Sequence, residues 1–240
     1  MKVARHITQL AAIAGLAFTS APAFADAITL GSGNIGQTYT FNFGGFADGN
    51  TINGLTSTGS FTLTGVTATS YTFSYSLTNT TSNPLDSRLS GFAFNTNPNI
   101  QSASSTGAFS YTTVGGSYPN AIGSVDVCFK DAKTGSCSGG GSGGLLDGQT
   151  GTGSFTLNFA QPLTSLTLSD FFVRYQSITG AGNITSASGA GTLSSTGGST
   201  STTSTGGTPV PEPGMLGLLG LALAGMALAR RRQRVRVAYA

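Results

Sequence analysis

The chain has 240 residues, a formal net charge of +3 and 8% charged residues, with 36 glycines, two cysteines, one histidine and no tryptophan. The basic balance belongs to the ends: Lys2 and Arg5 open the chain, and Arg230, Arg231, Arg232, Arg234 and Arg236 close it. Between Asp26 and Gly207 four cations (Arg88, Lys130, Lys133, Arg174) stand against seven aspartates, a formal charge of −3, which leaves no cation cluster for phosphate and excludes a nucleic-acid partner.

His6 and Glu212 both lie outside that body. Mechanisms that need a histidine base, a histidine metal ligand or a glutamate acid are therefore excluded from it. The N-terminal segment, residues 1–25, has a basic start, an apolar run from Leu10 to Phe18, and Ala23-Phe24-Ala25. This is the three-part plan of a secretory signal, with signal peptidase expected to cut before Asp26. The run is too short to span a bilayer.

From Asp26 to Thr185 the chain reads as short alternating segments punctuated by Gly, Asn, Ser and Pro. Tyr39, Phe41 and Phe43 alternate with Thr40 and Asn42, Phe61 and Leu63 flank Thr62, and Tyr71, Phe73, Tyr75 and Leu77 alternate with hydroxyl residues. Period two is the strand signature. Leu89 to Phe94, Ala108 to Val114, Ile122 to Phe129, Ser154 to Phe159, Leu163 to Leu168 and Phe171 to Ile178 are further candidates. The expectation is an all-β body over residues 26–185, a single antiparallel β-sandwich or jelly-roll-like domain.

Cys128 and Cys137 are the only cysteines, and in an exported chain one disulfide is expected, worth on the order of 2–3 kcal/mol for so short a loop. Two thiols without histidine make neither a metal site nor an activated nucleophile. Gly139 to Gly144 carries five glycines but lacks the Gly-Lys-Ser/Thr ending of a phosphate loop and reads as a mobile surface loop. Asp48, Asp131 and Asp147 sit in turn contexts, where aspartate bonds local backbone, so paired-carboxylate glycoside chemistry is not expected. No enzyme activity and no cofactor follow from these residues.

Residues 186–208 are Ser, Thr or Gly except Ala187, Ala190 and Leu193. That composition predicts a flexible linker spanning about 25 Å as a Gly-rich coil. Val210-Pro211-Glu212-Pro213 then precedes an apolar run from Gly214 to Ala229, closed by Arg230-Arg231-Arg232. Positive charge beside an apolar segment stays cytoplasmic, which places the body outside.

This ending, residues 209–240, resembles the PEP-CTERM sorting signal recognised by exosortase in Gram-negative bacteria. The resemblance implies transient retention in the inner membrane, removal of helix and tail by a transpeptidase-like exosortase, and delivery to the cell surface or an exopolysaccharide matrix. In the body, Ser87 to Pro98, Val125 to Lys130 with Cys137, and Phe171 to Ile178 are similar to the cistern family of PEP-CTERM proteins, for which no biochemical activity is implied. The expected function is thus a non-enzymatic surface or matrix protein. The alternative is a carbohydrate-binding module for exopolysaccharide, carried by Tyr39, Tyr71, Tyr75, Tyr111, Tyr118 and Tyr175.

Overall fold

The computed structural model describes residues 26–134, 136–139 and 143–198. The signal segment, residues 199–208 of the expected linker and the sorting segment lie outside the described residues. Among the described residues twelve strands occur in order: β1 (Ile28–Leu30), β2 (Gln37–Ala47), β3 (Asn50–Val66), β4 (Ser70–Asn79), β5 (Asp86–Asn97), β6 (Ser102–Gly107), β7 (Tyr111–Tyr118), β8 (Gly123–Lys130), β9 (Leu145–Leu146), β10 (Thr150–Asn158), β11 (Leu166–Thr179) and β12 (Ser186–Gly198). The described residues form no α-helix, only a 3-10 turn at Ser32–Asn34.

All strand pairs are antiparallel, and one path runs β6-β10-β4-β3-β2-β12-β11-β5-β8-β7, with β1 on β11 and β9 on β5. Its end strands, β6 and β7, are consecutive in the chain and touch, so the sheet curls until it nearly closes. Bulges on β2/β3, β3/β4, β5/β11 and β2/β12 supply the bending. The hairpin between β2 and β3 turns on Asp48 (φ 49°) and Gly49 (φ 77°), the Asp-Gly pair that a two-residue turn with two positive φ values favours.

The all-β antiparallel class is as expected, but one sheet takes the place of two facing sheets. The reason is β12. The composition of Ser186–Gly198 predicts linker, yet these residues pair with β2 from Ser188↔Phe46 to Gly198↔Gln37 and with β11 from Phe172↔Ala190 to Gln176↔Ser186. Without β12 the path would separate into β6-β10-β4-β3-β2 and β11-β5-β8-β7, the two halves that a sandwich reading expects.

Small side chains are what this position requires. A Cβ on Gly189 would lie 2.7 Å from Val173 and 2.8 Å from Tyr175, and one on Gly191 would lie 2.7 Å from Phe43. Neighbouring strands fill the core from both sides, and β12 contributes backbone. The expected Leu163–Leu168 and Phe171–Ile178 segments merge into β11 across a bulge at Ser169/Phe172.

The enclosed side of the sheet is a phenylalanine core. Phe41 stacks on Phe171 with centroids 4.1 Å apart, Phe92 on Phe129 at 4.8 Å, and Phe73 on Phe155 at 4.9 Å. Such pairs add about 0.5–1.5 kcal/mol beyond burial. On the outer side threonines pair across strands, as in Thr38–Thr62 and Thr78–Thr150, both 2.7 Å between hydroxyls. The abundant threonine of the sequence is therefore an outward face of cross-strand pairs.

Candidate functional site

The tyrosines do not form the stacking face that the carbohydrate reading expects. Tyr39, Tyr71, Tyr75 and Tyr175 are buried in the main core, Tyr118 is buried in a second cluster, and Tyr111 alone of the six is exposed. Tyr175 donates to Ser57 Oγ at 2.8 Å, and burial raises its pKa.

The aspartates are dispersed into structural roles. Asp126 accepts from Thr96 N at 2.8 Å where β8 leaves β5, Asp147 accepts from Ser87 N at 3.2 Å, and Asp86 accepts from Thr179 Oγ1 at 3.0 Å. Among the described residues no group of three or more His, Cys, Asp or Glu side chains could hold a metal ion.

Of the expected processing residues, Asp26 is described. Its carboxylate accepts from Leu193 N, tying Asp26 to β12. Ala23, Ala25, Val210, Pro211, Glu212, Pro213, Arg230, Arg231 and Arg232 lie outside the described residues. Among the described residues no helix is long and apolar enough to cross a membrane.

A second layer covers the outer face of β5, β8 and β11. Cys128 and Cys137 are bonded, Cα to Cα 5.7 Å, and pack with Ala93, Tyr118, Val125 and Phe172. The disulfide loop wraps Lys130, whose ammonium donates to Thr113 Oγ1 at 2.7 Å, to the Ser136 carbonyl at 2.8 Å and to the Thr134 carbonyl. Burial lowers the Lys130 pKa, with Asp131 opposing.

The glycine run, expected as a mobile loop, is packed at its two ends. A Cβ on Gly139 would lie 2.4 Å from Ser90 Oγ, and one on Gly144 would lie 2.6 Å from the Leu89 carbonyl. These glycines bring the backbone onto β5, and residues 140–142 lie outside the described residues.

The β7–β8 hairpin tip, residues 119–122, reaches across this face to β12. Asn120, oriented with its amide oxygen inward, accepts from Arg174 Nη1 at 3.1 Å and from Ser188 N at 2.7 Å. Arg174 is 7% exposed, its Nε has no hydrogen-bond partner, and burial lowers its pKa while Tyr118 opposes. The guanidinium is thus a fixed positive charge beneath the hairpin tip.

Between this tip and the β2–β3 turn lies a groove of about 570 Å³. It is lined by Gly44 and Phe46 of β2, Ala190 and Gly191 of β12, Ile122 of the tip and Phe172 of β11. Asp170, Asn120, Thr51 and Thr192 supply the polar groups. Asp170 occupies the β11 bulge at φ 54°, where its Oδ2 accepts from Asn95 Nδ2 and Ser169 Oγ, both at 3.1 Å. Of the five non-glycine residues with positive φ among the described residues, three line this groove: Asn120 (62°), Ala121 (60°) and Asp170. Asn120 and Ala121 are the central residues of the β7–β8 turn, where positive φ is usual hairpin geometry, and aspartate tolerates that region at the bulge. Sequence reasoning missed these residues; the Gly44-Gly45 pair inside a strand pattern signals the β2/β3 bulge between Gly44 and Phe46.

Residues 209–233 match the family model described as the PEP-CTERM protein-sorting motif. No curated protein and no solved structure matches the chain, so the resemblance of the body to the cistern family has no matching relative behind it. The motif implies export, transient membrane anchoring and processing by an exosortase.

Proposed function

We propose that this chain is a non-enzymatic surface or extracellular-matrix protein whose β domain is displayed outside the cell after C-terminal processing. The observation that carries the reading is the sorting motif at residues 209–233, behind a domain whose last strand ends at Gly198. Residues 199–208 join the two and are all Ser, Thr or Gly, a composition suited to a short tether. Signal peptidase removes residues 1–25, and exosortase then acts at Pro211-Glu212-Pro213 while the apolar run sits in the inner membrane. The arginine cluster resists passage across the bilayer and holds that register.

The test is the mass and location of the mature protein. It is expected to begin at Asp26 and to lack residues from about Gly214 onward. Replacing Pro211, Glu212 and Pro213 together should leave full-length chain in the inner membrane, and removing Arg230, Arg231, Arg232, Arg234 and Arg236 should let it escape uncleaved. Surface protein that still yields peptides from Arg236 to Ala240 would refute the reading in favour of a permanent anchor.

The second reading, a carbohydrate-binding module for exopolysaccharide, loses its tyrosine face. It gains support from the groove between β2, β12 and the β7–β8 tip.

A further inference from the structure

We infer that the outer-face groove is a binding site for a neutral hexose unit of a glycan, with Asp170 and Asn120 reading hydroxyls and Phe46 and Ile122 flanking the ring. This deepens the carbohydrate reading and depends on the display reading only for where the ligand is met. A volume of about 570 Å³ falls within the range of ligand pockets, about 300–1,000 Å³. The lining is apolar with a few polar groups, which suits a ligand carrying an apolar face and a polar edge.

The electrostatics narrow the class. The Asp170 carboxylate is an acceptor that disfavours an anionic ligand, while the Arg174 guanidinium held under Asn120 disfavours a cationic one. Asn120 spends its amide oxygen on Arg174 and Ser188, which leaves its N–H groups as donors at the rim. A carboxylate acceptor and an amide donor lining one cavity match a ligand rich in hydroxyls, each of which donates once and accepts. Thr51 and Thr192 add hydroxyls of either polarity to the lining. The ligand class that answers all of these is an uncharged polyol ring.

Rigidity is built in as well. The bulge fixes Asp170, with Asn95 and Ser169 holding one carboxylate oxygen. Asn120 is pinned to β11 and β12. Groups held in place before the ligand arrives lose little freedom on binding.

Gly44 gives a test that leaves the fold intact. A Cβ built there meets no heavy atom within 4 Å and its φ is not positive, so Gly44→Leu would project into the groove without displacing protein. The exported, processed protein would be titrated calorimetrically with maltohexaose, cellohexaose and laminarihexaose, and with hexagalacturonate as the charged contrast. At least one neutral hexaose is expected to bind. Gly44→Leu and Asp170→Asn should each weaken it about tenfold or more, the scale of one hydrogen bond to a charged group, with melting temperatures close to the parent's.

Absence of binding by all three neutral probes, binding unchanged in both variants, or preference for hexagalacturonate would overturn the assignment. The same titration on detergent-extracted full-length chain separates the two readings. Binding without C-terminal processing would fail the sorting reading alone, and processing without binding would fail the groove alone.

Discussion

β4 and β12 are both long strands in the interior of the sheet, and they are built on opposite plans. β4 buries Tyr71, Phe73, Tyr75 and Leu77 on its inner face, whereas β12 has Ala187 as its buried apolar residue and places Gly189 and Gly191 opposite the rings and branches of β2 and β11. A strand can thus belong to a core by supplying bulk or by making room for it. In the second case the stabilising contribution is the backbone ladder and the neighbours' packing, which hydropathy does not register.

The largest expected effect tests the supplying side. Phe155 touches the rings of Phe61, Phe73, Tyr75, Phe92, Phe94 and Phe129. Phe155→Ala should destabilise the protein by about 3–5 kcal/mol, read from urea unfolding. A loss under about 1 kcal/mol would mean that the core is not close-packed around this ring.

The disulfide comes next. It closes a loop over Lys130 and pins the outer layer, and replacing Cys128 and Cys137 with serine should cost about 2–3 kcal/mol. Alkylation of the native exported protein should find no reactive thiol. Two labelled cysteines would refute the pairing.

The receiving side is sharpened by two substitutions in one strand. Gly189→Val would drive a side chain into Val173 and Tyr175 and should cost about 1–3 kcal/mol. At Gly197 an added Cβ meets nothing within 4 Å, so Gly197→Val should fall within about 0.5 kcal/mol of the parent. If Ser186–Gly198 behaved as a linker, the two variants would be indistinguishable in denaturant midpoint.

The same contrast explains what could be read in advance. Alternation made β2 and β4 visible, because each carries its own bulk at period two, while the Phe171–Ile178 part of β11 is an apolar run buried on both faces. β12 was invisible because its partners carry the bulk, and that omission turned one nearly closed sheet into an expected pair of sheets. β6 (Ser102–Gly107) escaped because it is a mostly exposed end strand whose six residues are Ser, Ala, Thr and Gly. The disulfide was legible from count and export. The groove was not, since Gly44, Asn120, Asp170 and Ala190 come from four separate strands or turns and meet only through the register of β2, β12 and β11.

One modest expected effect has the opposite sign. Asn120 and Ala121 both have positive φ at the β7–β8 tip, and asparagine tolerates that region better than alanine does. Ala121 in the left-handed region costs about 1–2 kcal/mol, part of which glycine would recover while adding disorder to the unfolded chain. Ala121→Gly should therefore stabilise the protein by about 0.5–1 kcal/mol. Ala121 also lines the groove, so the variant separates strain retained for binding from strain without consequence. A gain in denaturant midpoint together with weaker hexaose binding would show that the alanine at this tip is kept for the ligand. A gain in stability with unchanged affinity would assign the strain to the hairpin alone, and no gain would mean that the tip holds Ala121 without cost.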